Sequence, residues 1–375
     1  MMSKYKSRSK IINLLLISFI AGFTNCKKEN HKKNSFNASR MVLVYIAANN
    51  DLISDAISSI NNLELGAKDL KGQMLVFVKT NTSNSYLLKI KYDIGDKIVS
   101  DTLKTYLTQS SSDGTFLKEV IKDSRSYFPA KTYGLIMWSH GTSWVPPITK
   151  TKSFGSDNGK EMDIKDLKKA LFNDFEFIMF DACYMGSLEV VYELKDKAKF
   201  IIASSSEVLS SSFPYHKISQ YLFTDSTDLV KAAKSYVDYY SEFSGKLASA
   251  TVSITNTKEL DNLASLTREI LPSIELRTKI TDVQELTFEA NPRANAYDFL
   301  DFIQNYYKPQ EYNIIKSQLE KVVLFKANTK CFFNVPMKTF CGLSIYLPIK
   351  KPDLFKDYYS SLSWYTASGW NKLFK

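Results

Sequence analysis

Tyr133-Gly134-Leu135-Ile136-Met137-Trp138 runs into Ser139-His140-Gly141, and Phe175-Glu176-Phe177-Ile178-Met179-Phe180 runs into Asp181-Ala182-Cys183. Both apolar runs have strand length and little polar alternation, the mark of strands buried on both faces of a parallel sheet. Between them Asp163 is placed to cap a helix carrying Ile164, Leu167 and Leu171 on one face. Strand, helix, strand is the right-handed crossover of a parallel pair. His140 and Cys183 are therefore expected side by side beyond the carboxyl ends of neighbouring strands, where open α/β sheets bind their ligands.

The rest of the chain repeats the alternation. Met41 to Ala48, Met74 to Val78 and Lys199 to Ser204 read as further buried strands, and Phe116 to Phe128 as a helix stopped by Pro129. Tyr86 to Lys91 and Lys97 to Thr102, on either side of Asp93-Ile94-Gly95-Asp96, read as an exposed hairpin. The fold class is thus α/β, a mostly parallel sheet flanked by helices. Residues 41–225 are expected to form the catalytic core and 226–375 a C-terminal extension or subdomain packed on it. In that last part Leu229, Ala233, Tyr236 and Tyr240 have helical spacing, Asn256 with Glu259 resembles a capping box, and Val322 to Phe325 and Gly342 to Leu347 are candidate strands.

A cysteine at its ordinary pKa is only a few per cent thiolate at neutral pH, so a thiol nucleophile needs a base or a positive environment. His140 supplies the base. A helix starting at Cys183 is expected to lower the thiol pKa through its free N–H groups. The backbone N–H groups of Gly141 and Cys183 are candidates for an oxyanion hole, with no Cβ at Gly141 to obstruct a substrate. Of the other histidines, His216 follows Phe213-Pro214-Tyr215 with no strand leading into it, and His31 lies near the N-terminus. Cys331 and Cys341 either staple a hairpin or remain free, and no Cys/His cluster has zinc spacing.

The N-terminus sets the compartment. Lys4, Lys6, Arg8 and Lys10 form a positive region ahead of the apolar stretch Ile11 to Phe23, so residues 1–25 read as a signal peptide. Cys26 directly after it resembles the lipidation site of a bacterial lipoprotein. Residues 26–40 read as a flexible tether, which implies a membrane partner through the lipid and a cell-envelope location facing the periplasm or the surface. Up to Arg40 there are nine basic residues and one acid, a net +8 of the total +10, which leaves +2 for the body and implies no nucleic-acid partner.

The set Tyr45-Ile46-Ala47-Ala48 with Asn50-Asp51-Leu52, Trp138-Ser139-His140-Gly141, Asp181-Ala182-Cys183-Tyr184-Met185-Gly186, Ala203-Ser204-Ser205-Ser206-Glu207 and Gly342 to Pro348 resembles the clostripain family of cysteine peptidases. That resemblance implies a caspase-like fold and a dyad of His140, the general acid/base, and Cys183, the nucleophile, with no third catalytic residue. It implies cleavage after Arg or Lys in protein or peptide substrates, with Asp181 at the floor of the S1 pocket and Glu207 as a second acid near it. It also implies self-processing in the loop 146–155, after Lys150 or Lys152. Some relatives require calcium; the sequence has no EF-hand spacing and calls for no other cofactor. An inactive surface lipoprotein used for binding is the alternative reading. Retention of His140, Gly141, Asp181 and Cys183 together argues against it. A peptidase or ligase acting after Asn or Asp is the other, and Asp181 disfavours an acidic P1 by like-charge repulsion.

Overall fold

The computed structural model describes residues 38–146, 154–271, 280–289, 294–349 and 353–373. Sequence readings that fall on residues 1–37, including Cys26, and on Lys150 and Lys152 lie outside the described residues. Nine strands build one sheet: β1 Ala38–Ala47, β2 Gln73–Lys79, β3 Asn84–Lys89, β4 Asp101–Leu107, β5 Ala130–Trp138, β6 Phe175–Asp181, β7 Ala198–Ala203, β8 Thr251–Asn256 and β9 Val323–Asn328. Their order is β9-β8-β7-β6-β5-β1-β2-β3-β4. The five central strands, β2, β1, β5, β6 and β7, are parallel, and antiparallel pairs finish both edges.

The central strands are apolar throughout because each face meets a helical layer. In β1, Val42, Val44 and Ile46 enter one layer with Ala56, Ile60 and Leu63 of helix α1 (Ile53–Leu65). Met41, Leu43 and Tyr45 enter the other with Phe116, Leu117 and Val120 of α2 (Gly114–Tyr127). Two-faced burial removes the need for polar alternation and leaves strand identity readable as an unbroken apolar run.

The crossover from β5 to β6 runs through α3 (Ile164–Ala170), and the Asp163 side chain accepts from Lys165 N as its cap. An antiparallel hairpin, Phe154–Asp157 with Lys160–Met162, precedes that helix. Residues 226–375 contribute β8 and β9 to the sheet and a two-stranded pair, Ala296–Asp298 with Ser344–Tyr346, beside it. No helix among the described residues is long and apolar enough to cross a membrane.

Four local expectations change. The second strand of the exposed hairpin begins at Asp101, not Lys97, because Glu64 of α1 accepts from Val99 N at 2.9 Å and Ser100 N at 2.8 Å and so diverts that stretch from the sheet. Ala38 to Arg40 belong to β1, not to the tether; Arg40 is buried, donating to Thr132 Oγ1 and Leu222 O. Asn256 makes no capping bond, since a short 3-10 turn, Thr257–Glu259, intervenes before the helix Leu260–Ile270. Cys331 and Cys341 are free thiols, and the small hairpin between them is held by backbone pairing of Cys331–Phe332 with Val335–Pro336.

Candidate active site

Trp138 and Asp181 are paired in register at the ends of β5 and β6, which places the two following loops against each other. His140 and Cys183 line one cavity of about 600 Å3 at that edge. Gly141 packs on the nucleophile loop so closely that a Cβ there would meet Cys183 O at 2.5 Å and Cys183 N at 3.0 Å. The glycine is therefore required by loop-on-loop contact, in addition to any clearance it gives a substrate. Neither Gly141 N nor Cys183 N donates a hydrogen bond among the described residues.

No helix starts at Cys183. The helix α4 (Leu188–Glu193) begins five residues later and is capped by Ser187. The chain between turns sharply, with Tyr184 at φ +63°, and is tied to the segment after β7 by Tyr184 N to Ser206 O at 2.8 Å and Gly186 N to Ser204 O at 2.7 Å. Ser205 Oγ adds bonds to Gly186 O and Gly342 O, which gives the serine run its structural purpose. The expected lowering of the thiol pKa is likewise absent. Burial pushes the Cys183 thiol up to about 12; the N–H of Val208, 3.3 Å from Sγ, acts the other way, and Glu207, Glu289 and Asp181 push further up. At neutral pH this group rests as a thiol.

His140 has a partner that the sequence reading did not assign. Its Nε2 lies 2.8 Å from Oδ1 of Asp51, in the loop after β1. That hydrogen bond holds the Asp51 carboxyl below its ordinary value. The neighbouring asparagines fix the loop: Asn49 Nδ2 bonds Asp157 Oδ1 at 2.6 Å and Asn50 Nδ2 bonds Ser156 O at 2.7 Å. His216 does not line the cavity.

Asp181 is 4% exposed and lines the cavity. Its Oδ2 accepts from the Ser212 hydroxyl, from Tyr215 OH at 2.7 Å and from Phe213 N at 3.3 Å. No hydrogen bond reaches Oδ1 among the described residues. Burial raises its pKa to about 6, and those donors hold it from rising further. Glu207 is also brought to the cavity, but as a brace: Oε1 accepts from Phe288 N at 2.7 Å and Glu289 N at 2.6 Å, and burial raises its pKa. The brace delivers Glu289, which sequence reading missed, to the cavity wall, where Tyr184 OH donates to its Oε1 at 2.6 Å. No motif marks Glu289, since its position depends on a carboxylate more than eighty residues earlier. Among the described residues, no group of three or more His, Cys, Asp or Glu side chains is arranged to hold a metal.

The comparisons with known proteins agree with this geometry. The model of the clostripain family matches residues 44–375. Clostripain of Hathewaya histolytica is 24% identical over 251 residues, 56% of this chain and 46% of that protein, so the alignment spans just under half of this curated relative. A secreted C11 cysteine protease from Bacteroides thetaiotaomicron, solved with an irreversible peptide inhibitor, superposes with a TM-score of 0.79 at 30% identity, covering 89% of this chain and 99% of that one. An inactive zymogen C11 protease from Parabacteroides distasonis gives a TM-score of 0.76 at 30% identity, over 88% and 98%. The mostly parallel central sheet flanked by helices matches those structures, whose architecture is caspase-like. A family match over nearly all of the described chain, together with a histidine and a cysteine lining one cavity at the sheet edge, shows that this chain belongs to the clostripain family of C11 cysteine proteases.

Proposed function

We propose that the chain is a cysteine endopeptidase cleaving after arginine or lysine, with Cys183 as nucleophile and His140 as general acid and base. The observation that carries the basic preference is the set of three carboxylates, Asp181, Glu207 and Glu289, that line the cavity and act on the thiol. A guanidinium or ammonium entering there meets negative charge on two walls, and the free Oδ1 of Asp181 is the acceptor suited to it.

The ionised Asp51 at Nε2 favours the tautomer with the proton on that nitrogen, leaving Nδ1 bare. Because the thiol rests protonated, Nδ1 takes its proton as Sγ attacks the scissile carbonyl carbon. The oxyanion is received by the N–H groups of Gly141 and Cys183, which have no other partner among the described residues. Collapse breaks the C–N bond, and the His140 proton goes to the leaving amine. Water then attacks the thioester, gives a proton to His140, and releases the acid product as the thiol is restored. Asp51 is a positioning residue in this scheme.

Three further elements belong to the same reading. A latent form cut after Lys150 or Lys152 is supported by the similarity to the inactive zymogen C11 protease from Parabacteroides distasonis. Lipidation at Cys26 and residence in the cell envelope rest on the N-terminal sequence. Calcium dependence, implied by the family resemblance, is tested by comparing turnover with added calcium and with added chelator. The test is covalent: protein with and without limited trypsin nicking is exposed to an irreversible peptidyl inhibitor with Arg beside its reactive group. One adduct per chain, mapped to Cys183 and not formed with the Asp counterpart, is expected. Labelling of Cys331 or Cys341 instead, or equal labelling by the Asp compound, contradicts the proposal.

A further inference from the structure

The cavity has a second arm that the scheme above leaves unused. Phe213 and Tyr215, which hold Asp181, belong with Trp138 to the apolar layer on the α1 face of the sheet. Trp144, Leu188, Tyr346 and Tyr359 belong to the layer on the opposite face. The cavity passes over the sheet edge at Cys183 and extends between Ser143, Trp144, Glu161, Ser187, Glu189 and Tyr346.

Two acids stand in that arm. Glu161, on the hairpin before α3, is 6% exposed, and Glu189, in the first turn of α4, is 0% exposed. Oε1 of Glu189 accepts from Tyr346 N at 2.9 Å and Tyr359 OH at 2.7 Å. Its Oε2 is buried and has no hydrogen-bond partner among the described residues. Ser187 Oγ, beside this carboxyl, accepts from Val190 N and lies 2.7 Å from Ser143 Oγ. A buried acceptor left unmade is costly, and one in the wall of a cavity is a place for a donor brought from outside. Trp144, packed edge-on against Tyr346 and Tyr359 at 5.1 and 4.6 Å, adds an aromatic surface of the kind that cations favour.

We propose that this arm is a second cation subsite, taking the side chain of a lysine or arginine that lies near the scissile bond but is not P1. The proposal rests on the peptidase reading. It makes the preferred substrate a peptide with two basic residues, read on opposite faces of the sheet by Asp181 and by Glu189 with Glu161.

The test uses peptides with Arg at P1 and, at each flanking position in turn, Lys or N-acetyl-lysine, which keeps the length and removes the charge. At one position Lys is expected to raise kcat/KM about tenfold over its acetylated twin, as a charge-assisted contact would. That ratio should fall to within about twofold in Glu189→Gln, and should drop in Glu161→Gln, a second variant that serves if the first does not fold. Binding of the same pair to Cys183→Ala protein, read by anisotropy, gives the ratio without turnover. No discriminating position, or a ratio that survives both variants, overturns the subsite. If wild type cleaves the fully acetylated peptides, the peptidase reading stands in either case. If it cleaves none, that reading fails by itself.

Discussion

The two walls of the cavity are made in different ways. The wall carrying His140, Gly141, Asp181 and Cys183 is the end of two neighbouring parallel strands, each locked on both sides by ladder bonds and on both faces by core. The wall carrying Glu289 and Tyr346 comes from residues 284–289, 294–298 and 344–346, held by short pairings: Leu286 N to Ala296 O at 2.7 Å, Asp298 N to Gln284 O at 2.8 Å, and the brace from Glu207. In the proposed function the first wall fixes where a bond is broken. The second rests on a few short pairings and one carboxylate brace, so it is the part we expect to set which peptide enters.

That contrast orders the expected effects. Cys183→Ala removes the proposed nucleophile and should lower kcat/KM by at least ~10^4-fold, with the thermal midpoint little changed. Gly141→Ala places a methyl against Cys183 O and shifts the oxyanion donors, so a loss in kcat of about 10^2-fold or more is expected with KM less affected. Replacing Asp51 by Asn leaves the fold intact but no longer favours the Nε2–H tautomer. Because Asp51 is largely exposed, we expect a loss nearer ~10-fold, seen in kcat, together with a changed pH profile. Variants of the second wall should be milder and act on KM. Glu207→Ala removes the acceptor that holds Phe288 N and Glu289 N, and should raise KM for Arg peptides about three- to tenfold while speeding amide exchange at 284–289 and not at 133–140. A Glu207 variant with kcat damage like that of Gly141→Ala would erase the distinction between the walls.

The pH dependence follows from Asp181. Its carboxyl is raised to about 6, so its negative charge is present above that pH and is lost as pH falls through it. A bound cation favours the ionised form and pulls the value down. KM for Arg peptides should therefore rise as pH drops through about 6, and in Asp181→Asn that pH-dependent rise should vanish, leaving KM high throughout.

What the sequence made legible follows the same division. Runs such as Met41 to Ala48 and Phe175 to Phe180 are apolar because both faces are covered, and that local mark was enough to place His140 and Cys183 together. Asp163 acted as the cap its position suggested. Failures arose where a distant side chain decided the outcome. Glu64 draws residues 99 and 100 off the sheet, Glu207 carries Glu289 into the cavity, and Asp51 reaches His140 from the loop after the neighbouring strand β1. The helix expected at Cys183 failed because the loop must first turn back onto Ser204 and Ser206, a demand of tertiary packing with no local signature beyond Gly186. A Cβ at Gly186 would press on Ser204 and Ser205 backbone atoms at 2.8 Å.

The central claim is that paired His140 and Cys183 cleave after a basic residue read by a carboxylate-lined pocket. The most direct measurement is hydrolysis of matched fluorogenic peptides with Arg, Lys, Asn or Asp at P1, by reduced protein before and after limited nicking, beside Cys183→Ala. The account predicts turnover of the Arg and Lys peptides that disappears in the variant. Turnover of the Asn or Asp peptides alone, or turnover that survives Cys183→Ala, would contradict it.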